Sequence, residues 1–289
     1  MAVIGRPNVG KSSLTNRLVG EKVAIVTNKP QTTRNRICAV VNREGCQFVF
    51  LDTPGLHKAR TRLGDYMVKV VKESVADVDA VLLLVEPIPH IGGPEAELIR
   101  RIKELNVPAV LVINKIDTVE KEELLSVMQV YGAAHDFAAI VPISAKRNEG
   151  VDELLGLLAQ FLPEGPQLFP EDMVTDQPER QVCAEIIREK LLLCLDKEIP
   201  HGTAVEITTF SERDDGIIDL DATIYCEKAS HKGIIIGKGG AMLKKISTLA
   251  RTDIEAFMGT KVFLQTWVKV KENWRDNMNL IKNFGYRDE

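Results

Sequence analysis

No apolar run in these 289 residues reaches membrane-spanning length, and no signal peptide opens the chain. The protein is therefore expected to remain in the cytosol. Cysteine is sparse: Cys38, Cys46, Cys183, Cys194 and Cys226 are scattered, odd in number and without C-x-x-C spacing. That usage implies a reducing compartment and argues against a zinc site. The five histidines form no ligand pattern, and there is no internal repeat or low-complexity segment. Neither sign of charge prevails, with 37 Lys and Arg against 41 Asp and Glu, a net charge of −4. What is present is ordinary: 45% hydrophobic and 27% charged residues over a length that supports two domains, each with its own core.

Gly5-Arg6-Pro7-Asn8-Val9-Gly10-Lys11-Ser12 fits G-x-x-x-x-G-K-[ST]. Such a loop turns a ring of backbone N–H groups into a concavity that an anion fills. Gly5 and Gly10 permit the tight path, Lys11 reaches the β- and γ-phosphates, and Ser12 offers a hydroxyl to Mg²⁺. The loop follows a short apolar run, residues 1–4, and precedes a helical stretch from Ser13 to Val19, so strand, loop and helix N-terminus coincide. With only four residues before Gly5, a few upstream residues are expected to be missing. The competing reading, a structural glycine turn, does not explain the motifs that follow.

Asp52-Thr53-Pro54-Gly55 closes the apolar run Phe48 to Leu51. A carboxylate there stands at the carboxyl edge of the sheet, where open α/β sheets bind ligands. Asp52 would order water on Mg²⁺ and the Gly55 amide would meet a γ-phosphate. Taken alone, the tetrapeptide is more often just a turn. Asn114-Lys115-Ile116-Asp117 follows the strand Ala109 to Ile113 and discriminates best. Asp117 offers two acceptors in a plane, matching N1–H and the exocyclic amine of guanine, whereas adenine would leave the carboxylate unpaired. Asn114 would tie this clamp to the phosphate loop, and the stem of Lys115 would lie against the base. Ser144-Ala145-Lys146, after the strand Ala139 to Ile143, would bring the Ala145 amide to guanine O6. An ATP-using enzyme is disfavoured by Asn114 and Asp117 together.

A switch needs a threonine that reaches Mg²⁺ when the γ-phosphate is present. Lys29-Pro30-Gln31-Thr32-Thr33-Arg34 lies where such a loop belongs, before the strand Arg36 to Asn42, and Thr33 is assigned the contact over Thr32. A solvated threonine pair in a turn is the alternative. Segments 29–36 and 55–65 are then the candidates for loops that order with GTP, relax after hydrolysis and bias one docking of the two domains. Ras-like enzymes place a water-orienting glutamine after the sensor glycine, and here Leu56 stands in that place.

Residues 1–164 alternate strand and helix, ending in the helix Val151 to Phe161, and predict a mostly parallel sheet covered on both faces. Prolines 163, 166, 170 and 178 mark residues 165–178 as a semi-rigid linker. Beyond it the order is helix (Glu179 to Lys197), strand (Ala204 to Ser211), hairpin turn, strand (Ile217 to Cys226), a short apolar piece (Gly233 to Ile236), a glycine-rich turn, helix (Ala241 to Met258), strand (Val262 to Val270) and a polar tail. This pattern predicts a smaller α+β domain over residues 179–289. Ile235-Ile236-Gly237-Lys238-Gly239-Gly240-Ala241-Met242-Leu243 matches the I-G-x-x-G-x-x-[IL] core of KH domains, whose turn clamps single-stranded nucleic acid. A plain helix–helix turn is the rival reading of the tetrapeptide. Local charge favours the KH reading: residues 226–271 hold nine Lys or Arg against three Asp or Glu, a net +6 inside an acidic chain. Ile235, Ile236, Gly237, Lys238, Gly239, Gly240, Leu243, Lys244 and Lys245 are the candidate RNA-binding residues.

Taken together, the Asn-bearing phosphate loop, Gln31 to Arg34, Asp52 to His57, the clamp, Phe169-Pro170-Glu171-Asp172, Glu185 to Leu191, the KH turn and Trp267-Val268-Lys269-Val270-Lys271 resemble the Era family of bacterial GTPases over essentially the whole chain. The resemblance implies a P-loop NTPase domain of Ras-like type followed by a type II KH domain. It also implies a monomeric ribosome-assembly GTPase that binds GTP and GDP with Mg²⁺ and grips the 3′ end of 16S rRNA in the 30S subunit. Loose attachment to the inner face of the cell membrane is a further implication, although the sequence offers no strong amphipathic lipid-binding helix. Nucleotide-binding positions carried over are Gly5 to Ser13, Asp52 to Leu56, Asn114 to Asp117 and Ser144 to Lys146, with Ser12, Thr33 and Asp52 at the metal. Hydrolysis would rest on Lys11, Thr33, Gly55 and Asn8, the last holding K⁺ as related phosphate loops do; a loop-stabilising role for Asn8 is the alternative. Slow intrinsic turnover is expected. The rival function is a signalling GTPase whose C-terminal domain docks on protein or membrane.

Overall fold

Two five-residue runs, Val-Leu-Leu-Leu-Val and Ala-Val-Leu-Val-Ile, are apolar at every position, as central parallel strands require when both faces are covered. They form β4 (Val81–Val85) and β5 (Ala109–Ile113), both wholly buried. Around them lie β1 (Ala2–Ile4), β2 (Ile37–Arg43), β3 (Cys46–Asp52) and β6 (Ala139–Pro142), giving a six-stranded sheet in the order β2-β3-β1-β4-β5-β6. Only the β2–β3 pair is antiparallel. This computed structural model describes residues 1–43, 45–56 and 59–286. His57 and Lys58, inside the expected switch loop, lie outside the described residues.

Alternation along the strands sends side chains to two cores. Leu82 and Leu84 join Val3, Phe48, Phe50 and Val112 on one face, beside α1 (Lys11–Val19) and α5 (Val151–Leu158). Val81, Leu83 and Val85 join Ile4 and Leu111 on the other, with α2 (Arg62–Ser74), α3 (Gly93–Leu105) and α4 (Lys121–Ala134). Helix α1 begins two residues earlier than expected, because Gly10 takes a left-handed conformation (φ 100°) that turns the loop directly into the helix.

The chain divides into two units. The first comprises Met1–Ala24, Thr33–Lys58 and Tyr66–Asp176; the second comprises Ile25–Thr32, Ala59–Asp65 and Gln177–Glu289. Much of the expected linker, residues 165–178, is therefore placed differently. Leu168 N and Phe169 N both donate to Gln47 Oε1 (2.9 Å each), Val40 N donates to Val174 O (2.9 Å), and Thr175 Oγ1 donates to Cys38 O (2.7 Å). Extended by its prolines, the segment covers the outer edge of β2, which would otherwise present unpaired backbone groups.

In the second unit α6 (Glu179–Cys194), α7 (Ala229–Ile236) and α8 (Ala241–Met258) accompany a sheet ordered β7-β8-β9. Strands β7 (Ala204–Glu212) and β8 (Ile218–Cys226) are antiparallel, and β9 (Val262–Val270) runs parallel to β8. Helix α7 extends the short apolar piece of the sequence reading backward by four residues. Its three consecutive isoleucines, Ile234 to Ile236, hid the helical period. The tail read as polar carries a buried aromatic group. Trp274 is fully buried and donates from Nε1 to Gly202 O (2.9 Å); its ring meets Phe284 edge-on at 5.4 Å. Burying that indole contributes on the order of 3 kcal/mol. Helix α9 (Met278–Asn283) follows, capped by the Asn277 side chain, which accepts from Asn279 N and Leu280 N.

Candidate nucleotide site and nucleic-acid interface

The carboxyl ends of β1, β3, β4 and β5 deliver Gly5, Asp52, Glu86 and Asn114 to one edge of the sheet. Lys11 bends back over the phosphate loop and donates to Gly5 O (3.2 Å) and Arg6 O (3.0 Å). Burial brings its ammonium down to about 8 despite Asp52 nearby. Burial likewise pushes Asp52 up to about 6, offset by Lys11 and by the Ser12 hydroxyl. Both shifts express charges held out of water, which a phosphate and a cation would compensate.

The three expected metal ligands converge. Ser12 Oγ donates to Asp52 Oδ2 (2.6 Å) and stands 2.9 Å from Thr33 Oγ1. Asp52 Oδ1 is buried without a hydrogen-bond partner. Two hydroxyls and a carboxylate are hard oxygen donors, and the orphaned oxygen asks for a cation, so these residues fit Mg²⁺. Thr32 is engaged elsewhere: its hydroxyl donates to Lys29 O (2.7 Å). Among the described residues no cluster of three His, Cys, Asp or Glu could hold a metal.

Asn114 joins three parts of the clamp. Its Nδ2 donates to Val9 O (2.8 Å), its Oδ1 accepts from Ala145 N (3.0 Å), and its backbone N donates to Val85 O (2.9 Å). The first bond leaves no room at Gly10, where a Cβ would stand 2.2 Å from Asn114 Nδ2. Ser144 Oγ donates to Asp117 Oδ1 (2.7 Å), and this bond, chiefly, holds the Asp117 carboxyl below its usual range. Arg17 Nε donates to Ala145 O (3.2 Å), fixing the backing loop, while Lys146 is exposed.

Several expected residues serve through backbone or packing alone. Val9 and Leu56 are buried in the two cores; the Leu56 amide donates to Gly5 O (3.2 Å) while its side chain packs with Ile4 and Leu83. The buried Leu56 side chain leaves only its backbone facing the phosphate loop. Thr53 Oγ1 donates to Val3 O (2.8 Å) and is fully buried, and Pro54 is buried too. Gly55 presses on the phosphate loop, since a Cβ there would come within 2.6 Å of Pro7 N. Sequence reasoning missed Glu86, whose carboxylate ion-pairs with both Arg6 and Lys115, and Glu95, 3.1 Å from Arg6 Nε. Glu86 directly follows β4, as Asp52 ends β3 and Asn114 follows β5, and the same edge rule would have found it.

In the second unit, Gly237 (φ 73°) turns the chain between α7 and α8, and a Cβ there would lie 2.7 Å from Met242 Cβ. Lys238, Gly239, Lys244 and Lys245 are exposed, whereas Ile236 and Leu243 are half-buried against the core. Ile235 is corrected: it is fully buried in that core, and the apolar side chain at the surface is Ile234, 49% exposed.

Fold and site together define a phosphate-loop GTPase carrying a KH domain. Residues 1–115 match the family described as 50S ribosome-binding GTPase, and residues 198–275 match the KH domain. The chain belongs to the Era family of GTPases. It is 52% identical over 287 residues to GTPase Era of Ruminiclostridium cellulolyticum, covering 99% of this chain and 96% of that one. It is 50% identical over 291 residues to GTPase Era of Clostridioides difficile, covering 100% and 98%. Among solved structures it is similar to a variant of Aquifex aeolicus Era bound to GDP·AlF4⁻ (TM-score 0.95, 38% identity, 99% of this chain and 98% of that one). The same figures hold for Era in complex with MgGDPNP and nucleotides 1506–1542 of 16S ribosomal RNA. Among the described residues no helix is long and apolar enough to cross a membrane.

Proposed function

We propose that this GTPase binds GTP at the sheet edge, hydrolyses it slowly, and grips the single-stranded 3′ end of 16S rRNA with its KH turn during assembly of the 30S subunit. The observation that carries the reading is the coexistence of an Asp117 carboxylate oriented by Ser144 with an exposed basic G-x-x-G turn on one chain. The relative whose structure holds MgGDPNP and a 16S fragment supports it. Lys11 and the loop amides bind the β- and γ-phosphates, and Asp117 selects guanine; the Ala145 amide, expected at guanine O6, donates to Asn114 Oδ1 instead. Ser12, Thr33 and Asp52 would hold Mg²⁺, which supplies positive charge to the phosphates when bound. The protein acts as a cytosolic monomer, and any membrane contact is peripheral. Crosslinking the GTP-loaded protein to total cellular RNA should recover the 3′ terminus of 16S rRNA; recovery of unrelated RNA, or of none, would refute the reading.

Hydrolysis lacks the usual glutamine: Leu56 stands in its place, and its side chain is buried in the core. Asn8, exposed and left-handed (φ 67°), is proposed to help hold a K⁺ ion that supplies charge beside the β- and γ-phosphates. Turnover should be about tenfold faster in KCl than in NaCl for the wild type, and Asn8→Ala should lose that difference. Equal wild-type rates in the two salts remove K⁺ from the mechanism.

A further inference from the structure

Neither the phosphate loop nor the guanine clamp contains Glu86, yet this acid touches both. Strand β4 lies between β1 and β5, which lead into Gly5 and Asn114, so a side chain at its carboxyl end can reach loop and clamp at once. Glu86 Oε2 accepts from Arg6 Nη2, and Oε1 accepts from Lys115 Nζ. Lys115 Nζ donates a second bond to Asn8 O (2.7 Å). All of these residues belong to the first unit.

Arg6 is held from its other side as well. Its Nε stands 3.1 Å from Oε1 of Glu95, a buried acid of α3, although not aligned for a hydrogen bond. Gly92 makes room for that acid, since a Cβ there would lie 2.8 Å from Glu95 Oε2. Glu95, Arg6, Glu86 and Lys115 therefore form a row of alternating charge that ends at the clamp. The side chains of Arg6, Glu86 and Lys115 are 33%, 24% and 36% exposed. An ion pair that exposed typically adds little to folding stability, so its place at the nucleotide edge asks for another explanation. Lys115 also takes φ 68°, a conformation that residues with a Cβ seldom adopt. Backbone strain of this kind collects at ligand sites.

A lysine stem can lie flat against an apolar ring while its ammonium is held beyond it. Holding Nζ between Glu86 Oε1 and Asn8 O fixes both ends of the Lys115 stem, the upper one by hydrogen bonds and the lower one by the chain. A freely solvated lysine would turn through many rotamers, and the nucleotide would have to order it on binding. We infer that Glu86 is a positioning residue for guanine-nucleotide binding, holding the Lys115 stem in place for the base and joining the clamp to the phosphate loop through Arg6. This rests on the reading of Lys115 as the residue whose stem lies against guanine. Order built in before binding acts on the bound nucleotide whatever its phosphate number. It therefore slows release of GTP and GDP alike and leaves the chemical step alone.

The test uses the full chain with Glu86→Gln, which keeps the size and loses the charge, and Lys115→Met, which keeps a stem and loses the ammonium. Lys115→Ala removes the stem and checks the underlying reading. Release of GDP and of a non-hydrolysable GTP analogue is timed, and single-turnover hydrolysis of bound GTP is measured apart from release. Glu86→Gln should speed release of both nucleotides about tenfold and leave single-turnover hydrolysis within about twofold. Combined with Lys115→Met, its effect should fall well short of the product of the two single effects, because both changes break one contact. A residue that merely supports the fold would multiply with Lys115→Met instead. If Lys115→Ala speeds release but Glu86→Gln leaves it intact, slows hydrolysis as much as it speeds release, or multiplies fully with Lys115→Met, the positioning role is overturned. If Lys115→Ala itself leaves release unchanged, the reading of Lys115 fails and the proposal fails with it.

Discussion

Asp117→Asn is expected to exchange the preferred base, shifting the ratio of GTP to XTP affinity by about 10⁴-fold. The carboxylate offers two acceptors to the N1–H and exocyclic amine of guanine. An amide keeps one acceptor and replaces the other with a donor. That pattern leaves the guanine amine facing N–H and pairs with the carbonyl that xanthine carries at the same carbon. The penalty for GTP is large because a buried donor left without an acceptor loses its full hydration. Ser144 Oγ, which donates to Asp117 Oδ1 at 2.7 Å, can serve an amide oxygen equally well, so the side chain should keep its orientation. Competition among GTP, XTP and ATP for the variant decides the matter. An unchanged ratio would remove Asp117 from base recognition and reopen the identity of the nucleotide.

The second large effect concerns RNA. Lys238→Asp combined with Lys244→Asp should weaken binding of a 16S 3′-end oligonucleotide by about a hundredfold at moderate salt, with GTP binding unchanged. Both lysines are exposed, so the substitutions cost little folding free energy. Each lysine that neutralises a phosphate on a single strand contributes about 0.7 to the slope of log affinity against log salt. The double variant should therefore flatten that slope by about 1.4. A salt titration of the two proteins measures both quantities. Unaltered affinity and slope would mean that the turn does not carry the RNA, and would favour a C-terminal unit that docks on protein.

Much of the nucleotide site was readable because its parts are short and contiguous. An eight-residue loop closes on itself, and Gly10, Lys11 and Ser12 act within a few residues of one another. Asp117 and Ser144 were readable for a related reason: each follows a strand of a parallel sheet, and such strands end at one edge. Finer choices were less visible. Thr32 and Thr33 differ little as sequence, but one hydroxyl is taken by Lys29 O and the other stands by Ser12. Ile234 and Ile235 look alike in a run of three isoleucines, and only the direction of α7 buries one and exposes the other. The tail read as polar because its few aromatics, Trp274, Phe284 and Tyr286, are spread among charged residues. They meet only when the turn at Trp274 brings the rings together.

Order and spacing along the chain were thus enough to establish a guanine-nucleotide loop, its sensor, its base clamp and a KH turn, since each is a local backbone shape with one or two side chains attached. Which distant groups complete them was settled by packing. Glu86 meets both Arg6 and Lys115, and Glu189 meets an amide 163 positions away. Residues 168–175 of the segment read as a linker hydrogen-bond to β2 and β3. Hydrophobic period records which face of an element turns inward, but it holds no record of which far-off charge or carbonyl will lie opposite. That pairing exists only once the helices and sheets have docked and excluded the water that would otherwise satisfy it.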